Sequence, residues 1–457
     1  MKKRMAVILQ WIKERMAKAL KWAAIVFIAL VALYLILLFA ANRSLRHAYA
    51  ALEADGRPMK KEQVIPEKIP DWDNAALVYE AVVLQLKAEK AGEQSLFSKL
   101  ESLGGKILEG TPDVGETEDQ FRQLTQTEVF SGALALLRTV EIKKGCRYEI
   151  DYSSNTPYKI NLGHLGSLKG LSKILCATAR TQSADGNYTS AWETVAVSLR
   201  VANAMKAEPF VVSQLVRTYQ FNQSADTIHA LMAVSHPSER RRIEIEELLG
   251  DFDDVAPLVR GIDTERILLT EWVFTQSVPV IHDVLDEEPE PLSHVVGLFW
   301  TPLWHWDHAA NLRLSHTIAR NISKPYTLND ATLEEELMND VSWYCFVTRI
   351  IMTGLHKHKS GHFSMLAKAR ITQAGLAALQ YKRENGAYPP DLQTLGKSKL
   401  VDPFGGKPLV YRTIPSGFII YSVGKNLIDD EGSADGGDKA KDIVWRHVEK
   451  NKIESED

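Results

Sequence analysis

The sequence predicts a mainly α-helical protein: an N-terminal transmembrane helix, then an irregular α-helical bundle or short solenoid, then a small α+β module with one helix on an antiparallel sheet. Three observations carry this. Residues 22–41, WAAIVFIALVALYLILLFAA, are twenty uncharged residues without Pro or Gly. From about residue 73 to 355, apolar side chains recur at helical spacing with few alternating runs. After about residue 363, one more amphipathic helix gives way to short β-like runs and a Gly-rich acidic loop.

The bulk composition sets bounds. A chain of 457 residues exceeds one small core and implies about two or three domains. With 45% hydrophobic and 25% charged residues it has the profile of a folded protein. A net charge of −4 gives no reason to expect nucleic acid. Cys146, Cys176 and Cys345 are too few and too scattered for a disulfide framework. Cys176 and Cys345 lie in apolar helical patterns, where a thiol is usually a small buried hydrophobe.

At 1.5 Å per residue, a helix over residues 22–41 covers about 30 Å, the thickness of a bilayer's hydrocarbon core. A cleaved signal peptide is the alternative, and Ala48-Tyr49-Ala50 has the outline of a cleavage site. The apolar core exceeds the ~7–15 residues usual there, which favours an uncleaved, single-pass anchor. Residues 1–21 carry seven Lys or Arg and residues 43–62 carry five. That asymmetry favours a cytoplasmic N-terminus and an exported body in the inner (cytoplasmic) membrane.

The expected order is therefore a basic cytoplasmic tail (1–21), the span (22–41), a stalk and Pro-bearing linker (42–72), an α-helical domain (73–358) and the α+β module (359–457). Within the helical domain a first helix from residue 73 stops at Gly92, and a Gly-rich stretch near 104–115 precedes a long helix over 117–143. Residues 146–162 read as an irregular crossing. Helices dominate 165–234, broken at Asp185-Gly186-Asn187 and Pro209. The segment ADGNYTSAW resembles the turn of a tetratricopeptide repeat, but it occurs once and supports only a helical hairpin. Further helices are expected over 238–249, 259–285, 304–322 and 333–355. In the last module a helix ends at Gly386, and DPFGGKPLVYRT and GFIIYSVG read as two strands.

Six fragments of this module stand in a recognisable order: Ala377-Ala378-Leu379-Gln380-Tyr381, Asn385-Gly386-Ala387-Tyr388-Pro389, Asp402-Pro403-Phe404-Gly405-Gly406, Pro408-Leu409-Val410-Tyr411, Tyr421-Ser422-Val423-Gly424 and Asp442-Ile443-Val444-Trp445. Together the region resembles the globular head of the G-type major pseudopilins of type II secretion systems, over less than a quarter of the chain. In that family the apolar helix runs directly into the head and a terminal loop binds calcium. Here the apolar segment lies more than three hundred residues upstream, so the resemblance implies a head reused as a fixed module. Carried over by position, it implies calcium ligands at the carbonyl of Val423, the side chain of Asn426, one or both of Asp429 and Asp430, and Asp442. Calcium chemistry agrees, since the ion takes about 6–8 hard oxygens and a Gly-rich loop can gather several. A solvated charge run is the alternative, and it is preferred for Asp435 and Asp438.

Catalytic signals are weak. His305, His308 and His316 with Asp307, and His356, His358 and His362, are histidine clusters without an HExxH or a Cys pair. Asp251, Asp253, Asp254, Asp263 and Glu265 flank a helix start, where carboxylates commonly cap N–H groups. Trp300, Trp304 and Trp306 with Phe299 suit core packing better than a groove or a bilayer-surface belt. No P-loop, G-x-G-x-x-G or G-x-S-x-G occurs. The expectation is a non-enzymatic, membrane-anchored envelope protein that presents a calcium-stabilised module to a protein partner. The alternatives are an accessory component of a type II secretion-like system and an exported hydrolase whose site lies in the helical domain.

Overall fold

The computed structural model describes residues 2–110, 114–152, 159–275, 293–352, 357–396, 400–433 and 442–448. The chain is mostly helical, with one long apolar N-terminal helix and a small antiparallel sheet near the C-terminus. It forms two compact units. One comprises Met1–Met59, Arg266–Thr317 and Leu337–Thr353; the other comprises Lys60–Glu265, Ile318–Glu336 and Gly354–Asp457.

In the first unit, α1 (Lys2–Ala54) is a single helix. Its apolar stretch is long enough to cross a membrane, and its side chains are exposed along nearly the whole of residues 22–40. Numbering ahead along the chain, α11 is Glu271–Thr275, α12 is Ser293–Ile322 and α14 is Phe346–Met352. Past residue 41 the character of α1 changes: Ala48 and Leu52 are buried against Ala309 and Leu312 of α12. The helix expected over 259–285 is interrupted by a π-turn, Arg266–Thr270, and its remainder beyond Thr275 lies outside the described residues. The helix expected over 333–355 is two, because the buried carboxylate of Asp307 accepts the N–H groups of Val347 and Thr348, both at 3.0 Å, and starts α14 afresh.

The second unit begins with α2 (Ala75–Ala88), capped by Asn74, whose side chain also holds Arg147 through N–H and carbonyl. A two-residue β1/β2 ribbon (Lys90–Ala91, Gln94–Ser95) turns through Gly92. The helix α3 (Leu96–Glu109) runs through the stretch expected to be a Gly-rich break. Gly104 lies close to Ala177 of the later helix His164–Ala184: a Cβ would sit 3.2 Å from that of Ala177. The long helix expected over 117–143 is divided into α4 (Val114–Thr125) and α5 (Glu128–Arg138), since the Thr127 hydroxyl caps Phe130 N–H. Residues 146–152 and 159–162 are irregular, and 153–158 lie outside the described residues.

Then α6 (His164–Ala184), α7 (Tyr188–Asn203) and α8 (Val211–Met232) pack in succession, with the breaks where the sequence places them. Cys176 is buried among them beside the Ser198 hydroxyl at 3.2 Å. After α9 (Glu239–Gly250) and α10 (Ala256–Glu265), the chain returns to this unit over Ile318–Glu336, which includes most of α13 (Asn329–Asp340), and again with α15 (Lys357–Asn385). The sheet has order β3-β4-β5, all antiparallel: Val410–Ile414, Gly417–Ser422 and Ile443–Val448. The third strand was not foreseen. It completes the sheet by burying the central β4.

One hydrophobic cluster runs from Ala179, Trp192 and Phe221 through Phe252 and Ile371 to Phe418 and Trp445. The expected division at 358/359 is thus not a break in packing. At Gly375 of α15 the indole of Trp445 comes so close that a Cβ would sit 1.6 Å from a ring carbon. Only glycine admits that contact.

Candidate functional site: the acidic loop after strand β4

The site is built outward from Asp402. That carboxylate, 2% exposed, accepts the N–H of Phe404 at 2.9 Å, the Ser422 hydroxyl at 2.7 Å and the N–H of Val423 at 2.9 Å. It ties the turn after residue 402 to the end of β4. Burial raises its pKa above the usual range, while the bonds it accepts oppose the shift.

From this fixed point the loop bends back on itself. Asn426 accepts Ile428 N–H at 3.2 Å and donates through Nδ2 to Asp430 Oδ2 at 2.8 Å. Asp442, at the loop's far end and 5% exposed, accepts the N–H of Asp430 at 3.3 Å and of Gly432 at 2.7 Å. Tyr421 donates its hydroxyl to Asp429 Oδ1 at 2.9 Å, and Glu431 N–H meets the same oxygen at 2.9 Å. Arg412 of β3 donates to the Tyr421 oxygen at 2.7 Å and stands 3.9 Å from Asp429 Oδ2.

The electrostatics are strained in one direction. Asp442 has its pKa raised, first by burial and then by the neighbouring charges of Asp429 and Asp430. Burial and Asp429 push the Tyr421 phenol up to about 12. Among the described residues, the non-glycine positions with positive φ are Leu427 (55°) and Glu431 (59°), both in this loop. Such conformations cost about 1–3 kcal/mol each and persist where surrounding structure enforces them.

Of the five expected ligands, Asn426, Asp430 and Asp442 are joined by direct bonds. Asp429 is turned to Tyr421 and Arg412, and Val423 is held by its N–H. Asp435 and Asp438 lie outside the described residues. Among the described residues, no three His, Cys, Asp or Glu side chains converge as a metal-holding group. Asp402, Tyr421 and Arg412 were not picked out as site residues. The local signal for Asp402 was its place before Pro-Phe-Gly-Gly, a turn whose first residue commonly accepts backbone N–H groups.

The other candidates disperse. His308 is buried, stacked on Phe274 with ring centroids 4.5 Å apart, and 3.4 Å from the Tyr49 hydroxyl. His316 pairs instead with Asp55 at 2.8 Å, and Asp307 caps α14. His362 is buried and His356 lies outside the described residues. Asp251 takes Lys206 and Asn203, Asp253 takes Arg370 at 2.6 Å, and Asp254 caps Ala256. Trp304 donates its indole N–H to the Phe274 carbonyl at 2.9 Å. No known protein family, no curated protein and no solved structure matches this chain.

Proposed function

We propose that this chain is a single-pass envelope protein, with its N-terminus in the cytoplasm and its body outside. An irregular helical bundle presents a pseudopilin-like module to a protein partner, and calcium braces the module's terminal loop. The carrying observation is that Asp442, already made harder to ionise by its burial, also feels the charges of Asp429 and Asp430. A divalent cation would offset that repulsion and let the buried carboxylate keep its charge. The ligand set favoured is Asn426, Asp430 and Asp442 with the Val423 carbonyl, and Asp429 completing it by leaving Arg412.

Membrane attachment has separate support. The apolar face of α1 leaves its side chains exposed, which in water would cost roughly 25 cal/mol per Å². In the same unit Trp343 is 82% and Ile350 73% exposed, side chains suited to a lipid interface.

The test is thermal melting of the full chain in detergent with calcium or with a chelator. A site occupied at ten times its dissociation constant adds about 1.4 kcal/mol, a shift of a few degrees. Identical melting in both conditions would remove calcium from the reading. Resistance of the protein to alkaline extraction from membranes tests the anchor independently.

A further inference from the structure

We propose that the pocket between α2 and α6 binds a short peptide with free ends, about three residues long. This stands apart from the acidic loop and does not depend on calcium. The cavity measures about 390 Å³, within the ~300–1,000 Å³ typical of small-ligand sites. Its floor is apolar and buried: Tyr79, Val83, Tyr148 and Leu168.

The charges around it are separated by sign. Glu80 and Lys87 both line the pocket and lie seven residues apart on α2, two turns along one face, a separation of about 10 Å along the axis. Glu149 joins the Glu80 end, because Asn74 at the start of α2 fixes the neighbouring Arg147. At the other end Lys87 Nζ donates to Ser167 Oγ at 2.9 Å.

His164 opens α6 beneath the acidic end, stacked on Tyr148 with ring centroids 4.1 Å apart. Its Nε2 is held by the buried Glu208 at 2.8 Å, and the Ser213 hydroxyl donates to the other oxygen of that carboxylate at 2.5 Å. This fixes the imidazole in the lining of the pocket.

A ligand matching these features has an ammonium for Glu80 and Glu149, a carboxylate for Lys87 and the Ser167 hydroxyl, and side chains for the tyrosine-lined floor. Three extended residues at ~3.3–3.6 Å each span the distance. A free amino acid holds its two charges too close together to reach both ends.

The experiment is calorimetric titration of the full chain in detergent with trialanine, alanine, N-acetyl-trialanine and trialanine amide. Trialanine should bind saturably and alanine should not compete with it. N-acetylation should weaken binding about tenfold in the wild type but cost nothing further in a Glu80→Gln, Glu149→Gln variant. Amidation should behave likewise against Lys87→Met. These residues are exposed, so the variants keep the fold, which an unchanged melt verifies. Absence of saturable trialanine binding, equal binding of alanine, or losses that do not follow the matching variant would overturn the proposal.

Discussion

Trp445 of β5 lies face to face with His229 of α8, ring centroids 4.4 Å apart and planes 12° from parallel. The His229 Nε2–H donates at 2.8 Å to the Thr372 oxygen, whose own hydrogen goes to the Lys368 carbonyl. Burial holds the imidazole well below its ordinary pKa, so it stays neutral. A helix of the α-helical domain, the helix of the module and its last strand therefore meet at one ring pair.

That meeting predicts that the C-terminal hundred residues do not fold alone. Trp445→Ala should cost about 3–5 kcal/mol in the full chain. Gly375→Ala should also destabilise, although alanine is the better helix former by ~1 kcal/mol, because its Cβ would overlap the indole. Urea denaturation of the full chain checks both. A well-dispersed amide NMR spectrum from an isolated 359–457 fragment would refute the shared core.

How much of this was legible follows from the range of the forces involved. Helices α6 to α8 were readable because their breaks, at Asp185-Gly186-Asn187 and Pro209, are local. The division between α4 and α5 rests on a lone Thr127 cap that looks like any helical threonine. The start of α14 depends on Asp307, forty residues upstream, which no local pattern can announce. Strand β5 was missed because Ile443–Val448 alternates only weakly and pairs across a loop. In the acidic loop, composition pointed to the carboxylates but not to Tyr421 and Arg412, which reach Asp429 from neighbouring strands.

Asp402→Asn should loosen the whole loop. One oxygen would become an amide donor facing the Val423 or Phe404 N–H, leaving a buried donor unpaired at about 1–3 kcal/mol. The expected result is lower stability together with faster amide hydrogen exchange at Val423 and Gly424. Unchanged exchange there would show that the turn does not hold the strand end.

Asp442→Asn separates the two faces of the site. Without calcium, the substitution removes a carboxylate whose raised pKa makes its ionisation costly in the folded state. The new amide group would also face the Asp430 or Gly432 N–H, a loss that does not depend on pH, so the variant should compare better with the parent at neutral pH than in acid, where both side chains are uncharged. With calcium, the parent should gain stability and the variant should not. A variant that gains as much from calcium as the parent would exclude Asp442 as a ligand.

The pH dependence contains two opposed contributions. Burial raises Glu265 to about 7 from 4.5, with only the Val211 N–H opposing it. Between those values the folded state binds more protons than the unfolded one, so stability falls as pH rises through the window, by up to about 3 kcal/mol. Burial lowers His308 and His362 to about 4 from 6.5. Here the unfolded state binds more protons, so stability is full above 6.5 and is lost as pH falls toward 4. Two histidines outweigh one glutamate, so the parent should lose stability as pH falls from about 6.5 toward 4, less steeply than the histidines alone would give. Glu265→Gln removes the first contribution and should leave a protein that is relatively more stable at pH 8 and falls more steeply in acid. Chemical denaturation at pH 5, 6.5 and 8 measures this, and parallel profiles for variant and parent would show that Glu265 does not titrate there.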